Sequence, residues 1–242
     1  VTAFARVPDV RRALTPLLER NRGRSVLLWI DLGAGKGRLG GSALAQVYGQ
    51  LGDVAPDLDD PAPLVACLAE IAALTTEGRL LAYHDVSDGG LFATLCEMAF
   101  ASHCGLDIAL AMGSDDPLAV LFAEEPGAVV QVAVDERAAV AARLVAAGLA
   151  VHAIGAPATH DRIRIALRDR MLLDESRVEL HRAWSATTHE LQRLRDNPAS
   201  VDQEYEQLLD ATDPGLAPVL AFDPAEDVAA PFIAKGARPP IA

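Results

Sequence analysis

The chain has 242 residues, 51% of them hydrophobic, 23% charged and only 5% aromatic, with a formal net charge of −13. That apolar fraction supports a real core and excludes wholesale disorder, and the acidic balance argues against nucleic acid, which needs a basic stripe on its partner. Three cysteines cannot build a disulfide framework, so a reduced, cytoplasmic compartment is expected. No apolar run approaches the ~20 residues that span a bilayer and no signal peptide opens the chain, so no membrane partner is expected. The first residue is Val1 rather than Met, and we expect a piece of something longer.

Val26-Leu27-Leu28-Trp29-Ile30 is a continuous apolar run with β-branched and aromatic members, which predicts a buried strand. A glycine-rich loop spans residues 33–41, and Ser42 is placed to cap a helix over 43–51. Residues 53–63 are acidic and carry prolines, the composition of a solvated loop. Leu64, Leu68, Ile71, Ala72 and Leu74 recur at helical spacing up to Gly78. A short strand over 80–83, a tight acidic turn over 85–90 and a helix over 91–102 are expected next. Strands are expected over 106–110, 128–134, 151–154 and 163–167, with a helix over 138–147 stopped by Gly148. Arg168–Arg170 reads as a polar hairpin turn into 171–173, and 178–196 reads as an arginine-rich helix ending before Asn197-Pro198. From Ala199 onward eight acids stand against two bases, a net of −6, and prolines recur, the signature of a linker or extended arm. The short strands and the hairpin favour an α+β layered domain over a doubly wound parallel sheet.

Two segments carry chemistry. In the first, Asp31 to Ser42, a strand feeds a glycine loop and then a helix, an arrangement that lets backbone N–H groups approach a phosphate. A Walker A reading fails because Gly37 rather than Ser or Thr follows Lys36. Gly35 to Gly40 matches G-x-G-x-x-G only formally, with no ribose-binding acid on a following strand, so a flexible connection explains these glycines equally well. The second segment, Tyr83-His84-Asp85-Val86-Ser87-Asp88-Gly89-Gly90-Leu91, sets two carboxylates and a hydroxyl between a strand end and a helix start. Hard cations such as Mg²⁺ take carboxylate oxygens and bridge to substrate phosphates. The plainer reading is an N-cap followed by a glycine turn. His84 beside Asp85 is a candidate general base, or a buried hydrogen-bonded histidine. Cys96, His103 and Cys104 lack the second ligand pair a zinc site needs, and Cys67 and Cys96 read as core. No Cys–His–acid arrangement for nucleophilic catalysis stands out.

Ile30-Asp-Leu-Gly, Leu39-Gly-Gly-Ser-Ala-Leu-Ala-Gln46 and Ala82-Tyr-His-Asp-Val-Ser-Asp-Gly-Gly-Leu91 closely resemble phosphoribosylformylglycinamidine synthase in its large single-chain form. Supporting stretches are 97–105, 121–125 and 187–198, and residues 223–239 resemble the lead-in to that family's glutaminase domain. The resemblance implies an ATP-dependent carbon–nitrogen ligase of purine biosynthesis. It would turn formylglycinamide ribonucleotide, glutamine and ATP into formylglycinamidine ribonucleotide, ADP, phosphate and glutamate. It implies an α/β/α layered domain similar to the C-terminal domain of aminoimidazole ribonucleotide synthetase. The expected boundaries are a connecting segment over 1–24, this synthetase domain over 25–175, a connecting helix over 176–198 and an acidic linker to the glutaminase over 199–242. Carried over by motif, Asp85 would be a Mg²⁺ ligand and Ser87 a contact to bound ATP or ADP, with no catalytic residue assigned. Partners would be the other synthetase domains, the glutaminase domain and small-molecule substrates. Two further readings compete: a bracing module with a non-exchanging ADP, and a stand-alone nucleotide-binding regulator.

Overall fold

A computed structural model describes residues 7, 9–111, 115–210, 213, 215 and 218–233. It divides into a unit over Val1–Leu209 and a second over Asp210–Ala242. The first unit is built on a seven-stranded sheet of order β2-β4-β1-β5-β3-β6-β7. The strands are β1 Ser25–Asp31, β2 Ala82–Val86, β3 Gly105–Leu110, β4 Gly127–Ala133, β5 Ala150–Ala158, β6 Arg162–Leu167 and β7 Arg170–Ser176. Every pairing is antiparallel except β3 with β6, where Leu106 faces Ile163 and Leu110 faces Leu167.

The period-two alternation of the central strands builds two cores, one on each sheet face. Val26, Leu28 and Ile30 of β1 join Val130 and Val132 of β4 beneath α2 (Pro61–Thr76) and α5 (Arg137–Ala146). Leu27 and Val129 point the other way, toward α3 (Gly90–Ser102), α4 (Pro117–Phe122) and the first turns of α6 (Arg177–Arg195). This is the expected α/β/α layered α+β fold. Helix starts follow ordinary cap chemistry: the Asp60 and Asp116 side chains accept from Ala62 and Leu118 N–H, each followed by proline in the first turn. The hairpin at Arg168–Arg170 lies where the sequence placed it, joining β6 to β7.

Two expected elements are corrected, and one expected segment is described more closely. Asp85 and Val86 belong to β2, so the acidic turn begins only at Ser87. Residues 9–24, read as a connecting segment, are pinned to the domain. Leu18 is buried, its N–H donates to Ser102 Oγ at 2.6 Å, and Glu19 N–H donates to the buried Gln131 side chain at 2.8 Å. The region after Ala199 opens not as an extended arm but as a helix, α7 (Pro198–Gln207). Asn197, which with Pro198 signalled the end of α6, also caps α7, accepting from the Ala199 N–H at 3.0 Å. Against α6, α7 buries Val201 and stacks the Tyr205 ring on His189 at 4.1 Å. In the second unit the described residues include one short helix, α8 (Ala230–Ile233).

Candidate functional site

The end of β2 carries the sharper of the two sequence candidates. Pairing with β4 sets Asp85 opposite Ala128 and Val86 opposite Gly127. The chain then turns through Ser87 and Asp88, both exposed, closed by a Gly90 N–H to Ser87 carbonyl bond of 2.9 Å. Gly90 has a φ of +66°, and a Cβ there would lie 2.7 Å from the carbonyl oxygens of Leu121 and Ala123, so the α3 start seats against α4 only without a side chain. The Asp85 carboxylate projects beside this turn with its side chain 61% exposed.

Glu124, just after α4, joins the two candidate segments. Its Oε1 accepts the Gly89 N–H at 2.9 Å and the Ala43 N–H, at the start of α1 (Ala43–Val47), at 2.7 Å. Glycine loop and acidic turn, distant in sequence, thus share one carboxylate.

That carboxylate is one of three that fill the glycine segment from within. Asp31 accepts the Gly33 and Gly35 N–H groups at 2.8 and 2.9 Å. Buried Glu125 accepts from the Arg38 backbone N–H at 2.9 Å and from its guanidinium at 2.7 Å. The Arg38 guanidinium is pushed to a higher pKa chiefly by that bond, while Lys36 lowers Asp59 by donating to it at 2.8 Å. The Gly33, Gly35, Arg38 and Ala43 amides are therefore satisfied by the protein's own acids, and those of Gly40 and Gly41 by the Val54 and Leu51 carbonyls. The cavity beneath the loop, lined by Trp29, Asp31, Gly35, Gly37 and Glu125 among others, measures about 30 Å³. That is room for a water, far below the several hundred Å³ of a ligand pocket. These bonds brace the segment from within.

His84 is largely buried and bonded, as the plainer reading had it. Its Nε2 lies 2.8 Å from Glu97 Oε2, and its Nδ1 lies 3.4 Å from Asp85 Oδ1. The other Glu97 oxygen accepts from the indole N–H of Trp184 on α6 at 3.2 Å. Cys67, Cys96 and Cys104 are buried thiols, and burial pushes Cys96 up to about 12. Among the described residues no group of three or more His, Cys, Asp or Glu side chains is placed to hold a metal ion. The oxygens at the turn suit a hard cation in kind, but Asp85 and Ser87 supply only part of a shell, leaving the rest to water, phosphate or another segment. Glu97, Glu124 and Glu125 lie in stretches that supported the resemblance, but no role was read for them or for Trp184, because their partners lie far along the chain.

Residues 25–167 match the family described as AIR synthase related protein, C-terminal domain, and the chain belongs to that family. Among solved structures, Thermotoga maritima PurL complexed with FGAR aligns over 71% of this chain and 30% of its own, at 13% identity and TM-score 0.56. The same protein complexed with ATP aligns over 69% and 27%, at 13% identity and TM-score 0.54. Phosphoribosylformylglycinamidine synthase II from Thermotoga maritima aligns over 69% and 27%, at 11% identity and TM-score 0.55. At these identities the likeness concerns the fold, and this chain spans less than a third of each of these three chains. Among the described residues no helix is long and apolar enough to cross a membrane.

Proposed function

We propose that this chain is the C-terminal part of the synthetase region of a phosphoribosylformylglycinamidine synthase, supplying part of a magnesium–nucleotide site. In this reading it is one segment of an ATP- and glutamine-dependent ligase that forms formylglycinamidine ribonucleotide in purine biosynthesis. The observation that carries it is the turn after β2: Asp85 and Ser87 present exposed oxygens at a strand end, on a backbone that Gly90 and Glu124 lock in place. Relatives of the same fold are described as complexes with ATP, ADP and FGAR, which supports a nucleotide at such a domain. Asp85 would hold the cation, and Ser87 would donate to a phosphate or ribose oxygen. The cation would neutralise phosphate charge. The Gly33 to Gly41 loop has a bracing role in this reading and no ligand.

Two oxygens, one at a strand end and one in the turn after it, make a weak site by themselves, so the chain alone is expected to show no ligase activity and feeble nucleotide affinity. The test is an assay of the full-length protein containing this chain for ATP- and glutamine-dependent conversion of formylglycinamide ribonucleotide. Conversion supports the reading. Its absence in a folded protein that carries all its domains contradicts it.

A further inference from the structure

We propose that Glu97 is a positioning residue that sets the Asp85 carboxylate through the ring of His84; the proposal rests on reading Asp85 as a metal–nucleotide contact. Both Glu97 oxygens are committed, Oε2 to His84 Nε2 at 2.8 Å and Oε1 to the Trp184 indole N–H at 3.2 Å, which fixes the side chain from two sides. A carboxylate only accepts, so the His84 proton on this side sits on Nε2. The ring is 14% exposed, and its other nitrogen, Nδ1, is buried with no hydrogen-bond partner among the described residues, 3.4 Å from Asp85 Oδ1.

Asp85 itself is held by no side-chain hydrogen bond among the described residues, and its side chain is 61% exposed. A free aspartate on a strand end would sample several rotamers and lose that freedom on binding a cation. Here Nδ1, which carries a lone pair because the proton sits on Nε2, repels Oδ1 and so limits the carboxylate's range on one side, and Glu97 keeps the imidazole from turning away. Support at one remove from a ligand is what metal sites require, and its removal typically costs ~10–100-fold in metal affinity. Trp184 lies on α6, with its ring centroid 6.1 Å from that of Phe100 on α3. The relay therefore ties the end of β2 to α6.

The test uses Mn²⁺ with ADP as probe on the full-length protein, read by calorimetry and by the Mn²⁺ electron paramagnetic resonance spectrum. Glu97→Gln keeps size and shape, and Trp184→Phe removes the indole N–H as a second variant should the first fail to fold. Glu97→Gln is expected to weaken Mn²⁺–ADP binding about tenfold and to broaden the bound-Mn²⁺ spectrum in a protein that still unfolds cooperatively. In an Asp85→Ala background it is expected to add no further loss. Parental affinity in both Glu97→Gln and Trp184→Phe, with binding lost in Asp85→Ala, overturns the relay alone, as do losses that add in the double variant. Parental affinity in Asp85→Ala overturns the functional reading beneath it.

Discussion

A single carboxylate oxygen of Glu124 accepts the backbone N–H of Gly89 at 2.9 Å, fixing the turn after β2 from the α4 side. The same oxygen accepts from Ala43. Charge-assisted bonds of this kind contribute about 1.5–3 kcal/mol. Glu124→Ala is therefore expected to cost about 2 kcal/mol in urea unfolding, and Glu124→Gln, which keeps a neutral acceptor, about half of that. Unfolding midpoints matching the parent in both variants would contradict the brace.

The geometry of Gly90 makes a sharper contrast. Gly90→Ala sets a Cβ 2.7 Å from two carbonyl oxygens in a left-handed conformation, and the protein is expected to lose more than about 3 kcal/mol or fail to fold. Gly148 has a φ of +84° but open space around it, so Gly148→Ala should cost only about 1 kcal/mol. Equal losses at the two positions, measured by denaturant titration, would show that close packing at Gly90 is not what matters.

Arg177, 2% exposed, is anchored by Asp161, whose side chain is 44% exposed. Removing the acid strands a buried guanidinium, whereas replacing the arginine by an apolar chain removes the buried charge as well. Asp161→Ala should thus destabilise by about 2–3 kcal/mol and Arg177→Met by less. The reverse order of melting temperatures would refute this.

The thiols predict the alkaline behaviour. Burial raises Cys96 to about 12 and also raises Cys67 and Cys104. A folded pKa above the unfolded value means stability fully present below about 9 and declining as pH rises toward 12, because only the unfolded chain ionises there. At pH 8 none of the three should react with an alkylating reagent until urea unfolds the chain. Rapid labelling of the native protein would contradict this burial. On the acid side, the carboxylates of Asp59 and Asp174 are lowered by bonds from Lys36 and Arg162, so their contribution is present above the ordinary carboxylate range and is lost as pH falls below it through their lowered folded values.

What could be read from the sequence was local. The run Val26 to Ile30, the Ser42 cap and the Arg168–Arg170 hairpin are each encoded within a few residues, and each lies where its residues implied. The α7 helix escaped because the acidic, proline-bearing composition beyond Ala199 outweighed its one local signal, the Asn197 cap, which also ends α6. The bracing of the glycine loop was hidden for a different reason. Its amides face carboxylates up to 87 residues away, as Arg38 faces Glu125, and no pattern along the chain announces such a pairing. Asp85 and Ser87 were legible as candidates through motif and resemblance, but Glu97 became visible only once β2, α3 and α6 were packed together.

The central claim is that the turn after β2 holds a magnesium–nucleotide. The most direct measurement is the equilibrium binding of Mg²⁺–ADP to the full-length protein and to its Asp85→Ala variant, by titration calorimetry with unfolding monitored in parallel. The account predicts binding at least about tenfold weaker in the variant at an unchanged fold. Equal affinity in the two proteins would contradict it.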